Sequence, residues 1–439
     1  MSNEPLPRGV QPLGATPFGS RTVEAFRLDN GLRLVVLPQP RGSVFAWHTW
    51  FGVGSRHELP GRTGIAHLFE HMMFKATHRF GDGEFDRAME ARGAQTNAAT
   101  WLDWTYYHEV LPVSAENLDF VAEVEADRMV NLRVDHGQLT AEREVVLNER
   151  RYRVDDDPEG RLGERLSSLL FGAEHPYGWP TIGWLPDIEA ISTGDCEDFY
   201  KTWYAPNNAT VVVAGGVGVH EVVARVAARY GGLSASTLPQ RPTPPDLRPS
   251  APRRDELLLP LSADRLHFGW VGPALDTPDN AAIEVAVELL VGGESSRLVR
   301  RLVDELELAT SVDGFAPQFR YPGPMELFVS AREPGAGEAI EAEIVSGLEA
   351  LGAEVPLERE VRRAKNQLEA STYRSNYSAN AVAGKLGFYD ATVGDFSGFQ
   401  RHIDRVREVT PDDVRRVART YLDPQRRAVV IGRPDGSAT

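Results

Sequence analysis

Displaced by 218 residues, the first half of this chain falls on its second half. Gly54 lands on Gly272, Pro60 on Pro278, Glu70 on Glu288 and Pro206 on Pro424. One repeat of this length far exceeds the roughly 20–50 residues of a solenoid unit, so it predicts two similar domains. A chain of 439 residues has room for them. Between Leu238 and Pro252 lie six prolines, a run that admits neither helix nor central strand and reads as an extended linker. The expected organisation is an irregular lead-in over residues 1–20, a first domain over 21–235, a linker over 236–255 and a second domain over 256–439.

The first domain carries the pattern His67-Leu68-Phe69-Glu70-His71. Positions i and i+4 of a helix share a face, so both imidazoles can point at one metal ion, with Glu70 beside them. Ile65, Leu68, Phe69, Met72 and Met73 recur at helical period, which predicts a helix covered on most sides. Buried there, two imidazoles and a carboxylate need partners, and a divalent metal supplies one. Under the displacement His67 falls on Val285 and His71 on Leu289, so the second domain keeps the apolar stripe and loses the ligands.

A zinc ion with two histidines needs a third protein ligand and keeps a fourth place for water. Leu139–Arg151 has helical period, with Glu142, Val145, Val146 and Glu149 on one stripe. Both Glu142 and Glu149 are candidates. Asn30-Gly31 between apolar runs predicts a hairpin, and Val44–Phe51, Trp104–Leu111 and Ala209–Gly215 read as strands. Gly93–Thr100 is small and polar. A strand of that kind beside the motif helix is where an extended peptide could add its backbone, with Asn97 and Ala98 as the candidate edge.

The formal net charge of -16 argues against nucleic acid, which needs a basic face, and suits basic or neutral peptides. Cys196 is the one cysteine, so no intrachain disulfide can form and thiolate ligation is no theme. No apolar h-region follows a basic start and no run approaches a membrane span. The default compartment is the cytoplasm.

With these residues in view, the chain resembles the pitrilysin family of zinc metallopeptidases, whose His-x-x-Glu-His order defines the inverted zincins. It is most similar to the small two-domain branch of the processing peptidases and their bacterial relatives. The resemblance rests on HLFEHMMFKAT at His67–Thr77, GAQTNA at Gly93–Ala98, EREVVLNE at Glu142–Glu149, HPYG at His175–Gly178 and YAPNNA at Tyr204–Ala209. It covers nearly the whole chain. It implies an α+β fold of two homologous domains, each an antiparallel or mixed sheet packed with helices, around a chamber that admits short or unfolded peptides. It implies His67, His71 and Glu149 as ligands of one Zn2+, Glu70 as general base, Glu142 as a residue orienting a ligand, and Asn97 and Ala98 at the substrate edge.

One departure stands out. Active relatives hold substrate with an arginine and a tyrosine seven residues apart, after a segment resembling Ser296-Arg297-Leu298. Here those positions are Val303 and Thr310, and no tyrosine occurs from Ser295 to Arg320. The resemblance therefore implies a partner: a related subunit lacking His-x-x-Glu-His but carrying the Arg/Tyr pair. A self-sufficient homodimer and a non-proteolytic assembly subunit are the alternatives.

Overall fold

A computed structural model describes residues 5–240, 243–245 and 247–437. In chain order its elements are β1 (Val10–Phe18), β2 (Arg21–Leu28), β3 (Arg33–Pro38), β4 (Val44–Phe51), α1 (Ile65–Met72), α2 (Glu84–Glu90), β5 (Gln95–Thr100), β6 (Thr105–Pro112), α3 (Ala115–Asn131), α4 (His136–Arg150), α5 (Pro158–Phe171), α6 (Leu185–Ala190), α7 (Thr193–Trp203), β7 (Ala209–Gly215) and α8 (Val219–Tyr230). They continue as β8 (Arg253–Leu259), β9 (Arg265–Gly272), α9 (Pro278–Val291), α10 (Arg297–Val299), β10 (Ala309–Phe315), β11 (Gly323–Ala331), α11 (Gly337–Ala353), α12 (Glu358–Ser375), α13 (Ala379–Val393), α14 (Gly398–Glu408), α15 (Pro411–Tyr421) and β12 (Ala428–Pro434).

Local chemistry sets many of these boundaries. Ser114, Asp157, Ser192, Thr277, Ser378 and Thr410 each cap a helix by accepting a backbone N–H, and Pro158, Pro278 and Pro411 occupy first helical positions. Gly31 turns the β2–β3 hairpin at φ 93°. A Cβ there would lie 2.7 Å from that of Asn207, so the turn needs glycine.

The chain forms two sheets packed with helices, the expected α+β architecture. The first sheet has the order β1-β2-β3-β7-β4-β6-β5, and the second β10-β11-β9-β12-β8. Each has one parallel pair, β3 with β7 and β12 with β8. From that pair outward the paths coincide: β3-β7-β4-β6-β5 in one and β8-β12-β9-β11-β10 in the other. The repeat is thus visible in topology. Where the displacement puts the lost ligands, Val285 and Leu289 on α9 are fully buried in the second core.

The compact units are not two consecutive halves. The first holds residues up to Leu147, the segment from Thr181 into the proline-rich stretch, and Arg374–Gln400. The second holds Asn148–Pro180, the chain from Thr243 to Tyr373, and the residues from Arg401 on. In the first unit α13, from late in the sequence, packs on β3, β4 and β7. Arg33 on β3 and Thr210 on β7 both bond Asp390 of α13, and His48 Nε2 on β4 lies 2.7 Å from Asn380 Oδ1. In the second unit α5, from the first half of the sequence, packs on β8, β9 and β12. There Glu159 meets His267 and Arg265 of β9. Each unit takes one helix from the other half of the sequence, so the division at residues 236–255 does not describe the packing.

Two further expectations are corrected. The lead-in is not irregular, because Val10–Phe18 pairs with β2 as the sheet edge. Pro12 and Pro17 lack N–H groups, and an edge strand tolerates that; the register shifts between Pro12 and Gly14. The linker ends sooner than expected, since β8 begins at Arg253. Residues 1–4 of the lead-in and 241, 242 and 246 of the linker lie outside the described residues.

Candidate metal centre

The motif helix α1 is short and pinned at both ends. It begins after Gly64, at φ 89°, where a Cβ would meet the Ile182 carbonyl oxygen at 2.5 Å. Glycine is required on both counts. The buried Glu58 accepts the N–H groups of Gly64 at 2.9 Å and Ala66 at 2.8 Å. It thereby serves donors that a helix start leaves orphaned and adds negative charge at the positive end of the dipole. At the other end Arg128 Nε donates to the Met73 carbonyl at 3.0 Å. Ile65, Leu68, Phe69 and Met72 enter the core, while His67, Glu70 and His71 are half-buried on the neighbouring stripe.

Glu149 comes from the last turn of α4, a helix rooted in the first unit; the division of the chain falls within that turn. One ligand atom each from His67, His71 and Glu149 lie within 4.8 Å of one another. The imidazole centroids are 4.9 Å apart and the rings stand at 71°. Two imidazoles and a carboxylate so gathered are a donor set that suits zinc, with room for a fourth ligand. Glu149 also pairs with Arg153 one turn on, at 3.0 Å, where the chain widens into a π-helical turn over Arg151–Asp155.

Glu142, two turns earlier on α4, does not join the three donors. Its Oε2 lies 3.4 Å from His71 Nδ1 and its Oε1 lies 2.5 Å from Lys75 Nζ. Burial works against its ionisation, but the bonds from His71 and Lys75 prevail and hold its carboxyl below the usual range. Holding one imidazole nitrogen leaves the other for a metal. The expected Glu142–Val145–Val146–Glu149 stripe is not a buried face, because Val146 is buried and Val145 is 48% exposed.

The charge of Glu70 is felt by a pair of phenols. Tyr107 and Tyr204 share a hydrogen bond of 2.9 Å. Burial raises both of their pKa values, and the Glu70 charge adds to the rise, so the phenols stay neutral beside that carboxylate. Asn97 and Ala98 lie on β5, the sheet edge against which α1 packs. Asn97 Oδ1 accepts the Ala98 N–H at 2.9 Å, occupying one donor that an added strand would use.

Beneath α1 lies a buried charge cluster, of which only the i,i+3 spacing of Glu125 and Arg128 on α3 is local. Arg128 Nη1 is 2.7 Å from Glu125 and 3.6 Å from Glu109, and all three are buried. Burial first, and then the Glu125 charge, push the Glu109 carboxyl well up. The Arg128 guanidinium lies 4.3 Å from the Phe85 ring centroid. Glu58, Tyr107 and Arg128 were not singled out from sequence, and Tyr204 entered only as the first residue of YAPNNA. The mixed polar and apolar composition of β6 and α3 hints at Tyr107 and Arg128.

The second unit also shows the two positions where the resemblance leads one to expect an arginine and a tyrosine. Val303 packs on the second core, and Thr310 is exposed on β10. The nearby Arg301 is engaged with Glu343 and Glu305, and Arg300 with Glu305.

Fold and site together define a metallopeptidase-like protein. Residues 34–181 match the family described as Insulinase (Peptidase family M16), and residues 190–368 match that described as Peptidase M16 inactive domain. The chain is 30% identical to the zinc protease PqqE of Helicobacter pylori, over 94% of this chain and 93% of that one. It is 29% identical to an uncharacterized zinc protease of Mycobacterium leprae, over 92% and 90%. A crystal structure of a protease from Helicobacter pylori superimposes with a TM-score of 0.87 at 28% identity, covering 94% of this chain and 99% of that one. The chain belongs to peptidase family M16, the insulinase family. No helix among the described residues is long and apolar enough to cross a membrane.

Proposed function

We propose that this chain is a zinc-dependent endopeptidase for short or unfolded peptides, acting as the metal-carrying subunit beside a related partner that supplies the Arg/Tyr clamp. The observation that carries the reading is the convergence of His67, His71 and Glu149 within 4.8 Å, with Glu70 on the same helix. His67, His71 and Glu149 would hold the zinc. Bound there, zinc supplies Lewis acidity to a scissile carbonyl and to a water. Glu70 takes the proton of the attacking water on a carboxylate oxygen and returns it to the leaving amine. Glu142 fixes the His71 ring through Nδ1. The β5 edge at Asn97 and Ala98 aligns the peptide backbone once the Asn97 side chain gives way.

The partner is inferred from Val303 and Thr310, which offer neither guanidinium nor phenol. The test is cleavage of a quenched fluorescent peptide library by the purified, zinc-loaded chain, with Glu70→Gln as control. Weak or absent cleavage alone, with strong activation by a related chain bearing the Arg/Tyr pair, is expected. Full activity from the lone chain, abolished by Glu70→Gln, would retain the peptidase and overturn the partner; a homodimer mass would then mark a self-sufficient enzyme. Failure to bind zinc would leave an assembly role.

A further inference from the structure

The second unit holds a carboxylate that its own fold leaves unserved. Glu326 sits on β11, directly opposite Phe315 of the edge strand β10 and Gly269 of β9. Phe328, two residues on, shares its face. The Phe315 and Phe328 rings are 5.8 Å apart, and Phe328 meets His267 edge-on at 4.7 Å. Leu166 of α5 occupies the place of a side chain at Gly269, 3.3 Å from where its Cβ would be. The carboxylate therefore stands among two aromatic rings and a leucine.

Among the described residues no side-chain hydrogen bond or ion pair reaches the Glu326 carboxylate, whereas Glu159 on the same side of the sheet is served by His267 and Arg265. Burial alone pushes the Glu326 carboxyl up to about 7. A desolvated carboxylate without a partner is costly to a fold. The side chain is nonetheless only partly buried, and Phe315 at the β10 margin is 39% exposed, so an outside group can reach it. Asp313, opposite Phe328 on β10, is exposed and adds a second acidic group to the rim.

We propose that Glu326, Phe315 and Phe328 form a subsite for one cationic side chain, lysine or arginine, of a bound peptide. The carboxylate gives such a group a charge-assisted hydrogen bond. The rings supply negative faces for the cation and apolar walls for its methylene stem. The inference rests on the peptide-binding part of the proposed function and adds the side-chain class that the chain selects.

The test uses the full-length Glu70→Gln chain and labelled peptides that differ at one position, lysine or arginine against norleucine or citrulline, with binding read by anisotropy. A preference of tenfold or more for the cationic peptide is expected. It should vanish in an added Glu326→Gln change and weaken with Phe315→Ala, which alters an exposed wall and leaves the carboxylate. Equal affinity for charged and neutral peptides, no binding of either, or a preference that survives Glu326→Gln overturns the subsite. If the zinc-loaded wild-type chain cleaves nothing even beside a related chain bearing the Arg/Tyr pair, while the Glu70→Gln chain keeps the preference, the peptidase reading alone falls. If that pair cleaves while the Glu70→Gln chain shows no charge preference, the subsite alone falls.

Discussion

Glu142 Oε2 lies 3.4 Å from Nδ1 of His71, so one carboxylate oxygen orients a prospective ligand while the other is held by Lys75. An outer partner of this kind typically governs metal affinity by about 10–100-fold. Glu142→Gln is expected to weaken zinc binding within that range, measured by competition with a chromophoric chelator. Glu149→Gln, which removes a donor, should weaken it more. Equal affinities for wild type and Glu142→Gln would mean that His71 needs no such support.

Arg128 joins the end of α1 to two buried glutamates. Arg128→Met keeps the volume but leaves Glu109 and Glu125 without their cation and Met73 without its donor. Breaking a buried pair in this way costs about 3–5 kcal/mol. Denaturant unfolding should show a loss of that order, and adding Glu109→Gln and Glu125→Gln should recover part of it. A loss near zero would show that water already serves the cluster.

Part of this site was legible in the sequence and part was not. The pair of histidines on α1 could be read because i and i+4 spacing is a local property. The Asn30-Gly31 hairpin and the Ala209–Gly215 strand were legible for the same reason. Chemistry asked for a third ligand and left Glu142 and Glu149 both as candidates; the family resemblance alone pointed to Glu149, and the stripe they share misled, since Val145 is exposed. Arg128, Glu109 and Glu125 escaped notice because their roles arise only when α3, β6 and α1 pack together. The exchange of α5 and α13 escaped for a stronger reason: neither helix differs locally from one that would stay with its own half. β1 was missed because proline argues against strands in general, and only its place at the edge makes the prolines harmless.

His48 offers a pH test of the first unit. Burial first, and then the neighbouring His108, depress its pKa to about 3, against the hydrogen bond with Asn380. A histidine depressed on folding stabilises fully above its unfolded pKa of 6.5, and that stability is lost as pH falls toward 3. The loss is on the order of 2–4 kcal/mol. Unfolding free energies measured from pH 7 to 4 should fall less steeply in His48→Gln than in wild type. Parallel curves would place the acid lability elsewhere.

Glu326 runs the other way. Its raised carboxyl favours the folded state below the unfolded value of 4.5, and that preference disappears as pH rises to about 7. Glu326→Gln should therefore be neutral at pH 4 and stabilising at pH 8, by on the order of 2–3 kcal/mol. Thermal melts at the two pH values decide it. A stabilising loss of a side chain is the pattern expected of a group kept for binding rather than folding.

The α13 helix that closes the first unit imposes a timetable on synthesis. Arg33 meets Asp390 across 357 residues of chain. At ~5–20 residues/s, roughly 20–70 s separate the emergence of these two partners from a ribosome. Thr210 of β7 precedes Asp390 by 180 residues, so for about the second half of that interval β3, β4 and β7 together present an uncovered face, the kind of surface on which nascent chains aggregate. Arg33, His48 and Thr210, which bond α13 in the finished protein, give that face polar groups that water can serve while it waits. The α13 contacts thus work twice, as a lock in the mature protein and as a solvated surface in the unfinished one.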